Sequence, residues 1–214
     1  MVADKDAVLM AEVFGLEEDL SLMSPLVLHP GDTQKLLEGE LSGAEMERKM
    51  FHAIDELDRK NDFLIIEGAG HTGVGSVLGF SNARVAKIAD APVVMVTGGG
   101  VGNVVDSAYM NLALFEKEQA DVRAVLVNKI IPEKREKTLR YLELAFAKET
   151  FKVVGGFNYQ PILANPTLRR ISQVLDVPLH GNQEAAGQIA HHVQIGSAAT
   201  QRVTELLKES SLVT

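Results

Sequence analysis

The sequence predicts an α/β fold with a doubly wound, mostly parallel sheet, and three observations predict it. Short apolar runs of strand type alternate with longer helical patterns, as in strands joined by crossover helices. The runs at residues 63–67, 92–96, 122–128 and 152–156 are almost continuously apolar, which reads as strands buried on both faces. The first three lead into Gly68, Thr97-Gly98 and Asn128, at the sheet end where open α/β folds bind ligands.

Helical patterns fall at about residues 6–14, 43–60, 82–89, 103–118, 133–150 and 166–175. The pattern then changes. Val177-Pro178-Leu179, an apolar stretch at 192–196 and a helix over 199–208 read as the opening of a second, partial α/β unit. Residues 158–166 form the join, and Ser211-Leu212-Val213-Thr214 resembles the start of a strand. The expected division is a nucleotide-binding domain over residues 1–160, then a linker and incomplete second domain over 161–214.

Composition narrows the function. With 214 residues, 46% hydrophobic and 23% charged, the chain has enough apolar material for a substantial core. A net charge of −8 disfavours nucleic acid and anionic membrane surfaces, which demand basic faces. The absence of cysteine excludes disulfides, thiolate zinc sites and cysteine nucleophiles, and fits a reducing cytoplasm. The N-terminus lacks the basic and apolar regions of a signal peptide, and the longest uncharged stretch, residues 91–105, is too short to span a bilayer. A cytoplasmic protein is expected.

Four clusters offer chemistry, each with a plainer alternative. Glu67, leaving a strand into Gly68-Ala69-Gly70-His71, is placed to hold a metal over nucleotide phosphates; otherwise it is an exposed acid ending a strand. The loop through Thr72-Gly73-Val74-Gly75-Ser76 is rich enough in glycine to form an anion nest. It contains G-x-G-x-x-G, but no helix starts at the third glycine and no acid ends the next strand, so the dinucleotide fingerprint is incomplete. His71 either contacts a ligand or is simply solvated. Thr97-Gly98-Gly99-Gly100-Val101-Gly102-Asn103 puts amides at a helix start, where an anion is favoured, or merely permits a tight turn; Asp106 in the first turn would complement the helix dipole. Asn128 offers acceptor and donors for a purine edge, or serves as a strand-ending turn residue.

Other chemistries fail. There is no H-E-x-x-H, Ser76 is not in a nucleophile elbow, and adjacent His191 and His192 on a strand point to opposite faces. Aromatic content of 5% without tryptophan gives no stacking platform for single-stranded nucleic acid.

Taken in order, the strand ending Glu67-Gly68-Ala69-Gly70, the strand Pro92-Val93-Val94-Met95-Val96 with its glycine loop, and Val125-Leu126-Val127-Asn128 resemble the dethiobiotin synthetase and cobyrinic acid a,c-diamide synthase group of P-loop proteins. Over about residues 4–175 the chain is most similar to the dethiobiotin-synthetase-like N-terminal domain of phosphotransacetylases. Its tail resembles the front of the DRTGG domain that follows there. The resemblance implies ATP or another purine nucleotide and Mg²⁺ as ligands, with Asp6 and Glu67 sharing the metal. Gly68, Gly70, His71, Gly98, Gly99 and Gly100 would line the nucleotide, and Asn128 would read adenine.

One departure stands out. No stretch of the 214 residues reads G-x-x-x-x-G-K-[ST], the loop that cradles phosphates, and only five residues precede Asp6. The expectation is a fold lacking its first strand and P-loop, through truncation or through loss of tight nucleotide binding. In related folds that strand lies between the strands ending at Glu67 and starting at Pro92, so its absence predicts unpaired edges and a homo-oligomer. The favoured function is a nucleotide-binding or nucleotide-sensing regulatory module. The alternatives are an ATP- and Mg²⁺-dependent ligase acting through an acyl phosphate, and a non-catalytic oligomeric scaffold.

Overall fold

The computed structural model describes residues 3–163, 165–194, 204–205 and 211–213. The chain divides into two compact units, Met1–Phe157 and Asn158–Thr214.

The first unit begins with helices whose ends are written in local side chains. Asp4 caps α1 (Lys5–Phe14) by accepting the Asp6 amide hydrogen, and Gly15 closes it in the left-handed conformation, φ 62°. Asp19 caps the short α2 (Leu20–Met23) by accepting from the Ser21 N–H, which holds its carboxyl below the usual range. α3 spans Asp32–Leu37. Ser42 accepts the Glu45 N–H and starts α4 (Gly43–Lys60), which buries Met50 and Ala53. Met50 joins Leu78 and Phe80 in a small core that also takes in Leu26, Leu36 and Met46, so the glycine loop after Glu67 is anchored at its far end by apolar packing.

The sheet carries the larger core. Its strands are β1 (Val93–Gly98), β2 (Val122–Ile130) and β3 (Lys152–Asn158), in the order β1-β2-β3, forming a three-stranded parallel sheet of the doubly wound, P-loop synthetase type. The crossovers use α5 (Asn82–Ile88) before β1, α6 (Val101–Glu118) between β1 and β2, and α7 (Arg135–Ala145) between β2 and β3. Val125 and Val127 of β2 meet Val104, Ala108, Leu112 and Phe115 of α6, with Leu142, Phe146 and Phe151 completing the cluster. These residues are apolar at helical spacing on α6 and at alternate positions on β2, so packing follows from period.

Several expectations need correction. Residues 63–67 form no strand: among the described residues no segment pairs with them in a ladder. They are not buried either: Phe63 is 81% and Ile65 79% exposed. Burial on both faces also fails for β1 and β3, since Val94, Val96 and Val154 are exposed while Met95 is buried. The expected helix over 133–150 stops at Ala145, with a 3-10 turn at Pro132–Lys134 leading in. Proline at that entry removes an amide donor and suits a first turn. The helix expected from 166 begins at Leu168, where Thr167 caps it by accepting the Arg170 N–H.

In the second unit, α8 (Leu168–Leu175) is followed by a 3-10 turn at Gln183–Gly187 and by β4 (His192–Gln194), which pairs in parallel with β5 (Ser211–Val213). Of the helix expected over 199–208, only Thr204 and Glu205 are described, and they are helical; the rest lies outside the described residues. Among the described residues no helix is long and apolar enough to cross a membrane.

Candidate nucleotide site

The parallel register between β1 and β2 sets Gly98 opposite Asn128. A Cβ at Gly98 would lie 2.9 Å from the Asn128 carbonyl oxygen, so glycine is what lets the two strand ends close together there. Beyond it Gly99 takes φ +108°, a left-handed conformation that a side chain would strain, and Gly100 opens α6 in extended geometry. Asn103 Nδ2 donates to the Gly98 carbonyl at 2.9 Å, folding the loop back onto the first turn of α6. The helix starts at Val101, so Asp106 lies beyond the first turn rather than within it.

Asn128 is half-buried, and its Oδ1 accepts the N–H of Lys129 at 2.8 Å. The side chain therefore already shapes the strand end, and its amide hydrogens have no acceptor among the described residues. Lys129 sits at φ 58°, an uncommon conformation for a non-glycine residue. Strain of this kind marks a place where local stability has been given up. Lys129→Gly is expected to raise stability by about 1 kcal/mol, read as a higher urea midpoint; an unchanged or lower midpoint would mean the lysine side chain contributes packing that offsets the strain.

Glu67 is exposed at the end of the irregular 63–67 segment, and its carboxylate makes no hydrogen bond or ion pair among the described residues. Asp6 is exposed in the first turn of α1, its own N–H bound to Asp4. No hydrogen bond links the two carboxylates, and no group of three or more His, Cys, Asp or Glu gathers among the described residues. Hard carboxylate oxygens that no protein cation neutralises are the donor chemistry Mg²⁺ takes. His71 is exposed and uses Nδ1 to accept the Gly73 N–H at 3.1 Å, so the ring closes its own turn. Gly68 and Gly70 are exposed, Gly70 at φ +61°.

Three asparagines organise these loops, and two of them, Asn82 and Asn111, lie outside the clusters that composition and spacing singled out. Asn103 holds the second glycine loop, while Asn82 of α5 and Asn111 of α6 hold the first: Asn82 Nδ2 donates to the carbonyls of Ala69 and His71, and Asn111 Oδ1 accepts the Thr72 N–H. Contacts across 39 residues leave no periodic signal in the chain.

Similarity to known proteins places the chain in the P-loop NTPase class. The chain belongs to the AAA domain family, which matches residues 1–167. Among curated proteins it is 29% identical over 139 residues to the cobyric acid synthase of Lachnoclostridium phytofermentans, covering 57% of this chain and 27% of the synthase. It is 27% identical over 168 residues to the cobyric acid synthase of Pelotomaculum thermopropionicum, covering 69% and 32%. It is 26% identical over 156 residues to the ATP-dependent dethiobiotin synthetase of Methanocaldococcus jannaschii, covering 71% and 70%. The chain thus spans about a third or less of the cobyric acid synthases it matches.

Proposed function

We propose that this chain supplies nucleotide- and metal-binding elements of an ATP- and Mg²⁺-dependent synthase of the dethiobiotin synthetase or cobyrinic acid a,c-diamide synthase type. The observation that carries the reading is the β1–β2 register, which sets the Gly98-Gly99-Gly100 loop beside Asn128. The similarity to an ATP-dependent dethiobiotin synthetase supports it. In this reading the glycine backbones approach the phosphates, and the unengaged amide of Asn128 donates to the base. Glu67 and Asp6 would hold Mg²⁺, which when bound neutralises charge on a transferring phosphoryl group. The acceptor would be a carboxylate or carbamate, activated as an acyl phosphate.

A second reading is a nucleotide-sensing module like the phosphotransacetylase N-terminal region with its DRTGG neighbour. The likeness of the chain's two glycine-loop motifs to that region supports it. Self-association belongs to the proposal too, supported by exposed Phe63, Ile65, Val94 and Val96.

Calorimetric titration with ATP and GTP in the presence of Mg²⁺ tests the site. Wild type is expected to prefer ATP, and Asn128→Ala to erode that preference by ~1–3 kcal/mol, the cost of an unpaired polar group. Failure of wild type to bind either nucleotide would sink the reading. Equal discrimination by wild type and variant would leave Asn128 only its local role of accepting the Lys129 N–H. ATP binding without turnover on any carboxylate acceptor would favour the sensor.

A further inference from the structure

The carboxamide of Asn82 is used in an unusual way. Its Nδ2 donates 2.9 Å to the Ala69 carbonyl and 2.8 Å to the His71 carbonyl, so both amide hydrogens serve alternate carbonyls of the turn that follows Glu67. The group is pressed against Gly68, where a Cβ would lie 2.8 Å from Asn82 Cγ. Asn82 itself is fixed, because it is the first residue of α5, whose cap Ser81 is buried and accepts the Arg84 N–H. The far side of the turn is fixed as well. Thr72 is buried and donates its N–H to Asn111 Oδ1 at 3.1 Å, and Asn111 Nδ2 is tied at 2.7 Å to the Ser107 carbonyl one turn back in α6.

The consequence concerns the backbone between these pins. Carbonyl oxygens repel an anion, and two of those in the turn are occupied by Asn82. The N–H groups of Gly68, Ala69, Gly70 and His71 have no protein acceptor among the described residues. A run of consecutive amide donors in which the Ala69 carbonyl inside the run and the His71 carbonyl at its end are engaged by Asn82 is a receptor for anionic oxygen. It also lies directly after the carboxylate at Glu67.

We propose that Asn82 is a positioning residue, holding the turn after Glu67 in the conformation whose amides receive the nucleotide's phosphate oxygens. This rests on the ATP-binding reading above and deepens it, since it assigns the phosphates, and not the base, to this turn. Asn82 does not touch the nucleotide; it acts through the carbonyls of Ala69 and His71. Asparagine is required because only its amide presents two hydrogens at this reach. Aspartate has the same shape and would set a carboxylate against two carbonyl oxygens.

The test is the affinity of the full chain for MgATP and for adenosine, by competition against a fluorescent nucleotide, with the thermal midpoint measured alongside. Asn82→Asp and Asn82→Ala are expected to weaken MgATP on the order of tenfold, the scale of a lost hydrogen-bonding pin, while adenosine, which has no phosphate, binds unchanged. Gly68→Ala is expected to weaken MgATP in the wild-type background by displacing the Asn82 carboxamide, and to lower the midpoint less in the Asn82→Ala background, where that group is gone. Unchanged MgATP affinity in both Asn82 variants would overturn the inference and leave the ATP-binding reading standing. Parallel weakening of MgATP and adenosine would also overturn it, making Asn82 a purely structural residue. Absence of MgATP binding by wild type would overturn the ATP-binding reading itself, and this inference with it.

Discussion

Gly156→Ala is expected to destabilise the first unit by about 3 kcal/mol, the upper end of the usual cost of overpacking a buried site. An added Cβ would lie 2.1 Å from the Val127 carbonyl oxygen and 2.8 Å from Ile130 Cδ1. Both neighbours belong to the middle strand, and Val127 and Ile130 are among the most buried residues of the chain, so neither can retreat without opening the core. Arg135 Nη1 also donates 2.7 Å to the Gly156 carbonyl, tying this point to the start of α7. Two nearby glycines separate the causes. Gly155 has open space around its Cβ position but φ +119°, so Gly155→Ala costs backbone strain alone, of order 1–3 kcal/mol. Gly100 has open space and an ordinary φ of −74°, so Gly100→Ala is expected to be neutral. Urea unfolding of the three variants should rank them in that order. A Gly156→Ala protein as stable as wild type would show that β2 and β3 do not approach as closely as the geometry requires.

Glu67→Ala is expected to abolish the dependence of ATP affinity on Mg²⁺. Wild type should bind ATP on the order of tenfold more tightly with Mg²⁺ than without, as removal of a charge-assisted metal contact is worth more than an ordinary hydrogen bond. The variant should bind equally in both conditions. Because Glu67 is exposed and makes no ion pair among the described residues, its loss should leave the thermal midpoint unchanged, which separates a binding defect from an unfolding one. Asp6→Ala should give a parallel loss if the two carboxylates share the ion. Identical affinities for wild type with and without Mg²⁺ would remove Glu67 and Asp6 from any metal site.

Much of the sheet was legible because its signals are local. Continuous apolar runs located β1, β2 and β3 within two residues at each end, and helix positions such as α4 and α6 followed from spacing. The segment at 63–67 shows the limit of that reasoning. Its apolar pattern is as strand-like as the others, yet it carries no ladder, since a strand is a relation between two segments and periodicity describes only one.

The sequence by itself determined the fold class and the order of β1, β2 and β3 with the helices between them. It also placed Glu67, the two glycine loops and Asn128 at or beyond the ends of apolar runs, because period and turn chemistry act over a few residues. Tertiary structure decided the rest. Only pairing in space sets Gly98 against Asn128, leaves the 63–67 segment unpaired, and brings Asn82 and Asn111 from two different helices onto the turn after Glu67. An asparagine whose partners lie 11 to 39 residues away is, in the chain alone, indistinguishable from any other helical asparagine. Its role exists only when packing has fixed both ends of the hydrogen bond.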